Sequence, residues 1–104
     1  MLGVLGVLGV LGVFGVGGIP AAKSRGIKIA PHGPFGPVTL AAGAQVMAAH
    51  HGFLLLEYPW GLNHWRSQLV EPAEHIAASH YHLSERPGLG LQLNPQVLAT
   101  HRAA

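Results

Sequence analysis

The sequence predicts an α/β fold, and three stretches predict it. Residues 27–30 read as a short buried strand, ended by Pro31. Residues 37–51 carry apolar side chains at helical spacing. Residues 53–56, Phe-Leu-Leu-Leu, are a continuous apolar run, the pattern of a parallel-sheet strand covered on both faces. Strand, helix and strand in that order make a βαβ unit with a right-handed crossover.

The chain opens on a three-residue Leu-Gly-Val repeat over residues 1–18. Four readings compete for it. A membrane-spanning helix needs about 20 apolar residues. Seven of these 18 residues are Gly, and each costs a helix about 1 kcal/mol against Ala. A secretory signal needs a positive start, which this stretch lacks, although Ala21 and Ala22 are small enough for a cleavage site. Collagen needs Pro in the repeat. The fourth reading is a low-complexity segment with no selected structure, outside the fold. Membrane association through residues 1–18 stays open on these grounds.

Residues 19–26 are a polar connector, in which Ala21 to Arg25 form one helical turn and Gly26 closes it in the left-handed cap position. Lys28 lies in the first strand. Pro31 ends that strand's ladder because it has no N–H to donate. His32 follows just past the strand's tip. Gly33, Pro34, Gly36 and Pro37 then make a tight turn.

Pro37 suits the first turn of a helix. Leu40, Ala44, Met47 and His51 recur on one face, while Ala41, Ala42, Gly43, Ala48 and Ala49 keep another face slim for close packing on a sheet. His50 and His51 fall in the last turn, where positive charge is mildly favoured, and Gly52 stops the helix. Glu57 caps the second strand. His32 and Glu57 therefore stand at the C-terminal tips of neighbouring parallel strands, the edge where α/β folds bind ligands.

Residues 58–74 read as a loop holding Tyr58, Trp60, Trp65 and Arg66, its indoles packing over the sheet rather than stacking on a cofactor. Residues 71–82 are helical on propensity. Residues 81–93 look extended, with a Pro-Gly-Leu-Gly turn at 87–90 and alternation through Leu89, Leu91 and Leu93. Asn94 is an N-cap and Pro95 a first-turn residue of a C-terminal helix over 95–102.

Composition narrows the function. A chain of 104 residues is one domain at most, and 15 Gly with 8 Pro leave a thin core. Two parallel strands also leave open edges, so the isolated chain is expected to fold poorly. Six Lys and Arg are scattered against four Glu, which gives no nucleic-acid footprint. The chain has no Cys, hence no disulfide or thiolate metal site. It has no Asp either, which matters for acid–base and Mg²⁺ chemistry. His80 and His82 share one strand face, and His50, His51 and His64 add imidazoles. A metal site needs three or four converging ligands, and no second spaced pair completes a set. Taken alone, His32 at a strand tip is more often a surface group than an acid–base one, and Glu57 either pairs with Arg66 or faces solvent.

The stretch KIAPHGPFGPVTLAAGAQVMAAHHGFLLLEYPWG, followed by ERPGLGLQLN, resembles the C-terminal quarter of the enolase superfamily. The resemblance runs to the mandelate racemase/muconate lactonizing group, and within it to acid-sugar dehydratases of galactonate dehydratase type. Its most specific element is the run PHGPFGPVTLAA, and the match covers about residues 17–104, leaving the repeat outside.

The resemblance implies a modified TIM barrel, with residues 27–31 as its seventh strand, 37–51 as the helix after it and 53–57 as its eighth strand. It divides the chain into the repeat at 1–18, a barrel fragment at 19–79 and a tail at 80–104 that returns to the family's capping domain, which favours extended structure at 80–83. His32 would match the seventh-strand general acid/base, and Glu57 the eighth-strand Glu that stabilises the intermediate. The implied chemistry is proton abstraction beside a carboxylate, an enediolate held by Mg²⁺, then loss of water. The implied setting is cytoplasmic, with an acid-sugar substrate and a homo-oligomer in the intact enzyme.

The departures are equally specific. The family's three metal-binding carboxylates come from strands missing here, so this chain supplies no Mg²⁺ ligand. The Asp that orients the His would fall in the Leu-Gly-Val repeat, and the chain has none to offer. Gly17-Gly18-Ile19 resembles the family's motif after the sixth strand, but the helix that should follow is cut to a connector. The expectation is a C-terminal piece of a dehydratase, or of a racemase or cycloisomerase of the same group, inactive alone. The competing expectations are a non-catalytic His-rich protein and a small membrane-anchored one.

Overall fold

The computed structural model describes residues 20–33 and 36–102. The readings of residues 1–18 fall outside the described residues.

Residues 20–24 are helical. Gly26 follows with φ 66°, and the Ile27 N–H donates to the Ala22 carbonyl at 2.9 Å. The left-handed glycine cap is thus where the sequence puts it. The chain then extends, and Ile29 forms a parallel bridge with Phe53. The Ile29 N–H donates to the Gly52 carbonyl at 2.7 Å, and the Leu54 N–H to the Ile29 carbonyl at 2.9 Å.

Helix α1 (Pro37–Ala48) connects the two extended segments. Pro37 is fully buried, and Leu40, Ala41, Ala44 and Met47 line the covered face. The recurrence of Leu40, Ala44 and Met47 in the sequence marks this face correctly. The helix ends before His50 and His51, however. The Ala49 N–H donates to Val46 at 3.2 Å and the His50 N–H to Met47 at 3.0 Å, tightening the end into three-residue turns. The His50 Nδ1 then accepts the Gly52 N–H at 2.8 Å. That local side-chain bond competes with helix continuation, so both histidines lie past the helix, and His51 is exposed.

Phe53, Leu54 and Leu55 are extended but exposed, Leu54 at 54%. The expectation of cover on both faces is therefore not met: among the described residues no second layer packs over this run.

Past Glu57 the chain forms a 3₁₀ turn at Arg66–Gln68 and four short strands. These are β1 (Val70–Glu71), β2 (His75–Ala77), β3 (His80–His82) and β4 (Gln92–Leu93). β1 pairs antiparallel with β4, Val70 opposite Leu93. β2 and β3 make a hairpin with His75 opposite His82, Ile76 opposite Tyr81 and Ala77 opposite His80. The helix read from propensity over 71–82 is absent for a physical reason. Alternation wins: Ile76 and Tyr81 are half-buried between exposed neighbours, a period-2 pattern that a helix cannot use. Ala78 and Ser79 turn the hairpin in the left-handed region, at φ 49° and 61°.

Between β3 and β4 the turn read at 87–90 forms, the Gly90 N–H closing on the Pro87 carbonyl at 3.1 Å, and strand structure flanks it at His80–His82 and Gln92–Leu93. Helix α2 (Pro95–Thr100) starts as read, with the Asn94 side chain accepting from the N–H groups of Gln96 and Val97. It stops two residues early, and His101 stacks on Trp65 with centroids 4.3 Å apart. Trp65 therefore packs, whereas Trp60 is 83% exposed and keeps a tilted ring contact with Tyr58, centroids 6.2 Å apart. The buried residues are Pro37, Leu40, Ala41, Ala44 and Met47 of α1, together with Val70 and Arg66. Among the described residues no helix is long and apolar enough to cross a membrane.

Candidate functional site

The Ile29–Phe53 bridge aligns two chain segments in the same direction, so their C-terminal tips emerge side by side. Pro31 has no N–H to extend the ladder, and the chain is released at that tip. His32 and Glu57 meet there. The His32 Nδ1 donates to Glu57 Oε2 at 2.8 Å. The same Oε2 accepts the Gly33 N–H, also at 2.8 Å.

Gly33 has to be glycine for this geometry. A Cβ there would stand 2.9 Å from the Glu57 carbonyl oxygen and 3.1 Å from Leu40 Cδ1. The absence of a side chain lets the backbone of residue 33 lie against residue 57 and aim its N–H at the carboxylate. Sequence reasoning found His32 and Glu57 from their places at strand tips but missed Gly33. Its signal was present in the Gly after the His, which reads equally well as an ordinary turn residue.

The side chains of His32 and Glu57 are 66% and 44% exposed. An ion pair this open to water contributes little stability; its value is positional. The Gly33 N–H is the main cause that holds the Glu57 carboxyl below the usual carboxylate range, with partial desolvation opposing it and His32 adding to it. Glu57 is thus an anion at neutral pH. An anion that accepts the Nδ1 hydrogen fixes the imidazole tautomer and makes Nε2 the basic nitrogen. Such an imidazole can take a proton from a substrate atom and return it, while the carboxylate steadies the imidazolium between the two events.

A second ionic arrangement was not legible in the sequence. Arg66 does not reach Glu57. Its Nε and Nη2 donate to Oε2 and Oε1 of Glu74 at 2.7 and 2.8 Å. The Tyr58 hydroxyl donates to the same carboxylate at 3.3 Å, and the guanidinium lies over the Tyr58 ring at 5.3 Å. The pair is buried, at 10% and 3% exposure. It ties the loop after Glu57 to the strand that begins at His75 and so holds the second strand tip in place. Burial raises the pKa of the Tyr58 phenol, with Glu74 adding to it.

An open apolar hollow of about 850 Å³ runs beside Met47, Leu54, Leu56, Tyr58, Ile76 and Tyr81. Neither His32 nor Glu57 lines it. Of the other imidazoles read from the sequence, His64 is exposed on the loop and His80 bonds its own turn through Ala78. Among the described residues no group of three His, Cys, Asp or Glu converges on a point that would hold a metal ion.

Comparison with known proteins places the chain in a family. A family model described as "Enolase C-terminal domain-like" matches residues 19–97. A D-xylonate dehydratase of Haloferax volcanii is 37% identical over 75 residues, which cover 72% of this chain and 18% of that protein. The crystal structure of a mandelate racemase/muconate lactonizing enzyme-like protein from Rubrobacter xylanophilus superposes with a TM-score of 0.76 at 32% identity. That match covers 83% of this chain and 22% of the other. The chain therefore spans only a minor part of the length of the proteins it matches.

Proposed function

The chain belongs to the enolase C-terminal domain-like family, and from that premise we propose that it is the acid–base end of an acid-sugar dehydratase. The reaction is abstraction of a proton beside a carboxylate, formation of an enediolate and departure of a hydroxyl as water. The observation that carries the reading is the 2.8 Å bond from His32 Nδ1 to Glu57 Oε2. The relative named D-xylonate dehydratase supports dehydration over racemisation within the group.

In this reading His32 is the general acid/base. With Nδ1 committed to Glu57, Nε2 exchanges the proton: it takes one from the substrate carbon or gives one to the departing hydroxyl. Glu57 stabilises the intermediate. Since the Gly33 N–H and His32 keep it ionised, it does so through the imidazolium rather than by donating a proton of its own. Positioned acid–base catalysis of this kind contributes about 10²–10⁴ in rate.

The metal is a different matter. Enolase-superfamily chemistry rests on Mg²⁺, an ion that takes oxygen ligands from carboxylates. The described residues offer no converging set, and the chain holds four Glu and no Asp. The ion does not fit this chain's own residues, and no step here runs through it. The carboxylates for it, the acid-sugar pocket, the homo-oligomer and the cytoplasmic setting all belong to the proposed intact enzyme. Residues 80–104 are proposed as the return to its capping domain.

The test is a graft. Residues 19–97 replace the matching segment of the Haloferax volcanii D-xylonate dehydratase, and xylonate dehydration is assayed with and without His32→Asn. The expected result is an active hybrid that loses at least about a hundredfold in kcat with the substitution. A folded hybrid with no activity, or one indifferent to His32→Asn, overturns the reading.

A further inference from the structure

The β2–β3 hairpin presents two unlike faces. Ile76 and Tyr81 are half-buried, while His75, Ala77, His80 and His82 are exposed. His75 and His82 are register partners. Their rings stack with centroids 4.3 Å apart and planes at 19°. Directly opposed residues in an antiparallel pair hold their Cβ atoms about 5 Å apart, so the sheet itself delivers two imidazoles to one place.

We propose that His75 and His82 form a two-nitrogen binding site for a late first-row divalent ion, Cu²⁺ foremost. Imidazole nitrogen suits these ions, and affinity for such a site peaks at copper. A closed zinc site needs four protein ligands, and no group of three converges among the described residues. Two strand-held imidazoles leave the remaining positions to water. Room for that water is at hand: a hollow of about 240 Å³ is lined by His75, His82, Gln45 and Ser84. His80 is committed elsewhere, its Nδ1 donating to the Ala78 carbonyl at 2.6 Å. With ring centroids 4.3 Å apart, rotation of the rings out of the stack is what would bring one nitrogen of each to a shared ion.

The site is independent of the His32–Glu57 pair, and its test does not touch that pair. Cu²⁺ is titrated into the full chain and followed by nuclear magnetic resonance and by calorimetry. At substoichiometric copper the ring signals of His75 and His82 and the amides of Ile76 and Tyr81 broaden first. Removing one arm of a chelate forfeits its effective concentration, so His75→Ala or His82→Ala weakens binding about a hundredfold. The double variant His75→Thr/His82→Thr keeps strand-forming residues at both positions, and a retained Ile76–Tyr81 cross-strand signal shows that the hairpin survives. Binding by the single variants within about threefold of the parent overturns the proposal. So does broadening that begins at His50, His51 or His64, or a parent chain without the cross-strand signal.

Discussion

The buried pair between Arg66 and Glu74 gives the sharpest test of how the C-terminal half is held. Glu74→Gln keeps the shape but removes the charge that answers the guanidinium, which is only 10% exposed. It also sets an amide N–H₂ against one of the two nitrogens now bonded at 2.7 and 2.8 Å. Breaking a buried pair from one side costs about 3–5 kcal/mol. A small domain has only about 5–15 kcal/mol in total, so the loss is a large fraction of what holds the hairpin to the loop. Tyr58 keeps its acceptor if the Gln oxygen takes the Oε2 position, so the loss falls on the guanidinium. Backbone hydrogen exchange at Ile76 and Tyr81 reads this directly: about 3 kcal/mol corresponds to exchange at least a hundredfold faster. Arg66→Met with Glu74→Leu removes both charges and should restore most of the protection, since replacing a whole buried pair by apolar groups is near neutral. Exchange within about threefold of the parent for Glu74→Gln, or a double variant no better than the single one, refutes the reasoning.

Three further outcomes follow from the same structure. Glu57 titrates below an ordinary carboxylate by carbon-detected resonance, and Gly33→Ala, whose Cβ meets the Glu57 carbonyl at 2.9 Å, moves it back up. Because the folded-state pKa is lowered, the pair's stabilising effect is present above the unfolded carboxylate pKa and fades as pH falls through the folded value. The isolated chain melts broadly rather than in a sharp cooperative step, because Phe53, Leu54 and Leu55 remain exposed; a sharp calorimetric peak contradicts this. The chain alone, supplied with an aldonic acid and Mg²⁺ in deuterium oxide, incorporates no deuterium beside the carboxylate, and incorporation refutes the need for ligands from elsewhere.

How much of this was legible in the sequence depended on the range of the interaction. Gly26, Pro37, Asn94 and Pro95 act within a few residues of themselves, and each does what its type dictates. The buried face of α1 follows from spacing alone. His32 and Glu57 were legible as strand-tip residues, and a parallel bridge brings the tips together. The rest depended on distant partners or on competition. The end of α1 is decided by His50 turning back on the Gly52 N–H, a bond no propensity scale contains. The 71–82 stretch has helix-forming Ala and Glu, yet its alternation decides the outcome once Ile76 and Tyr81 have something to pack on. Arg66 chose Glu74 over Glu57 because Glu74 lies on the buried side of the loop, and nothing in the spacing of three charges reveals which side is buried.

The single rung between Ile29 and Phe53 bears on the chain's life in a cell. Beyond Leu54 the strand runs on through Leu55 and Leu56 with no strand beside it among the described residues. Four consecutive large apolar residues with an open edge are a template for pairing with another chain, and only Glu57 stands at the end as a gatekeeper. Taken by itself, the polypeptide thus carries a self-association hazard at that edge, and a strand laid beside Leu55 and Leu56 would remove it.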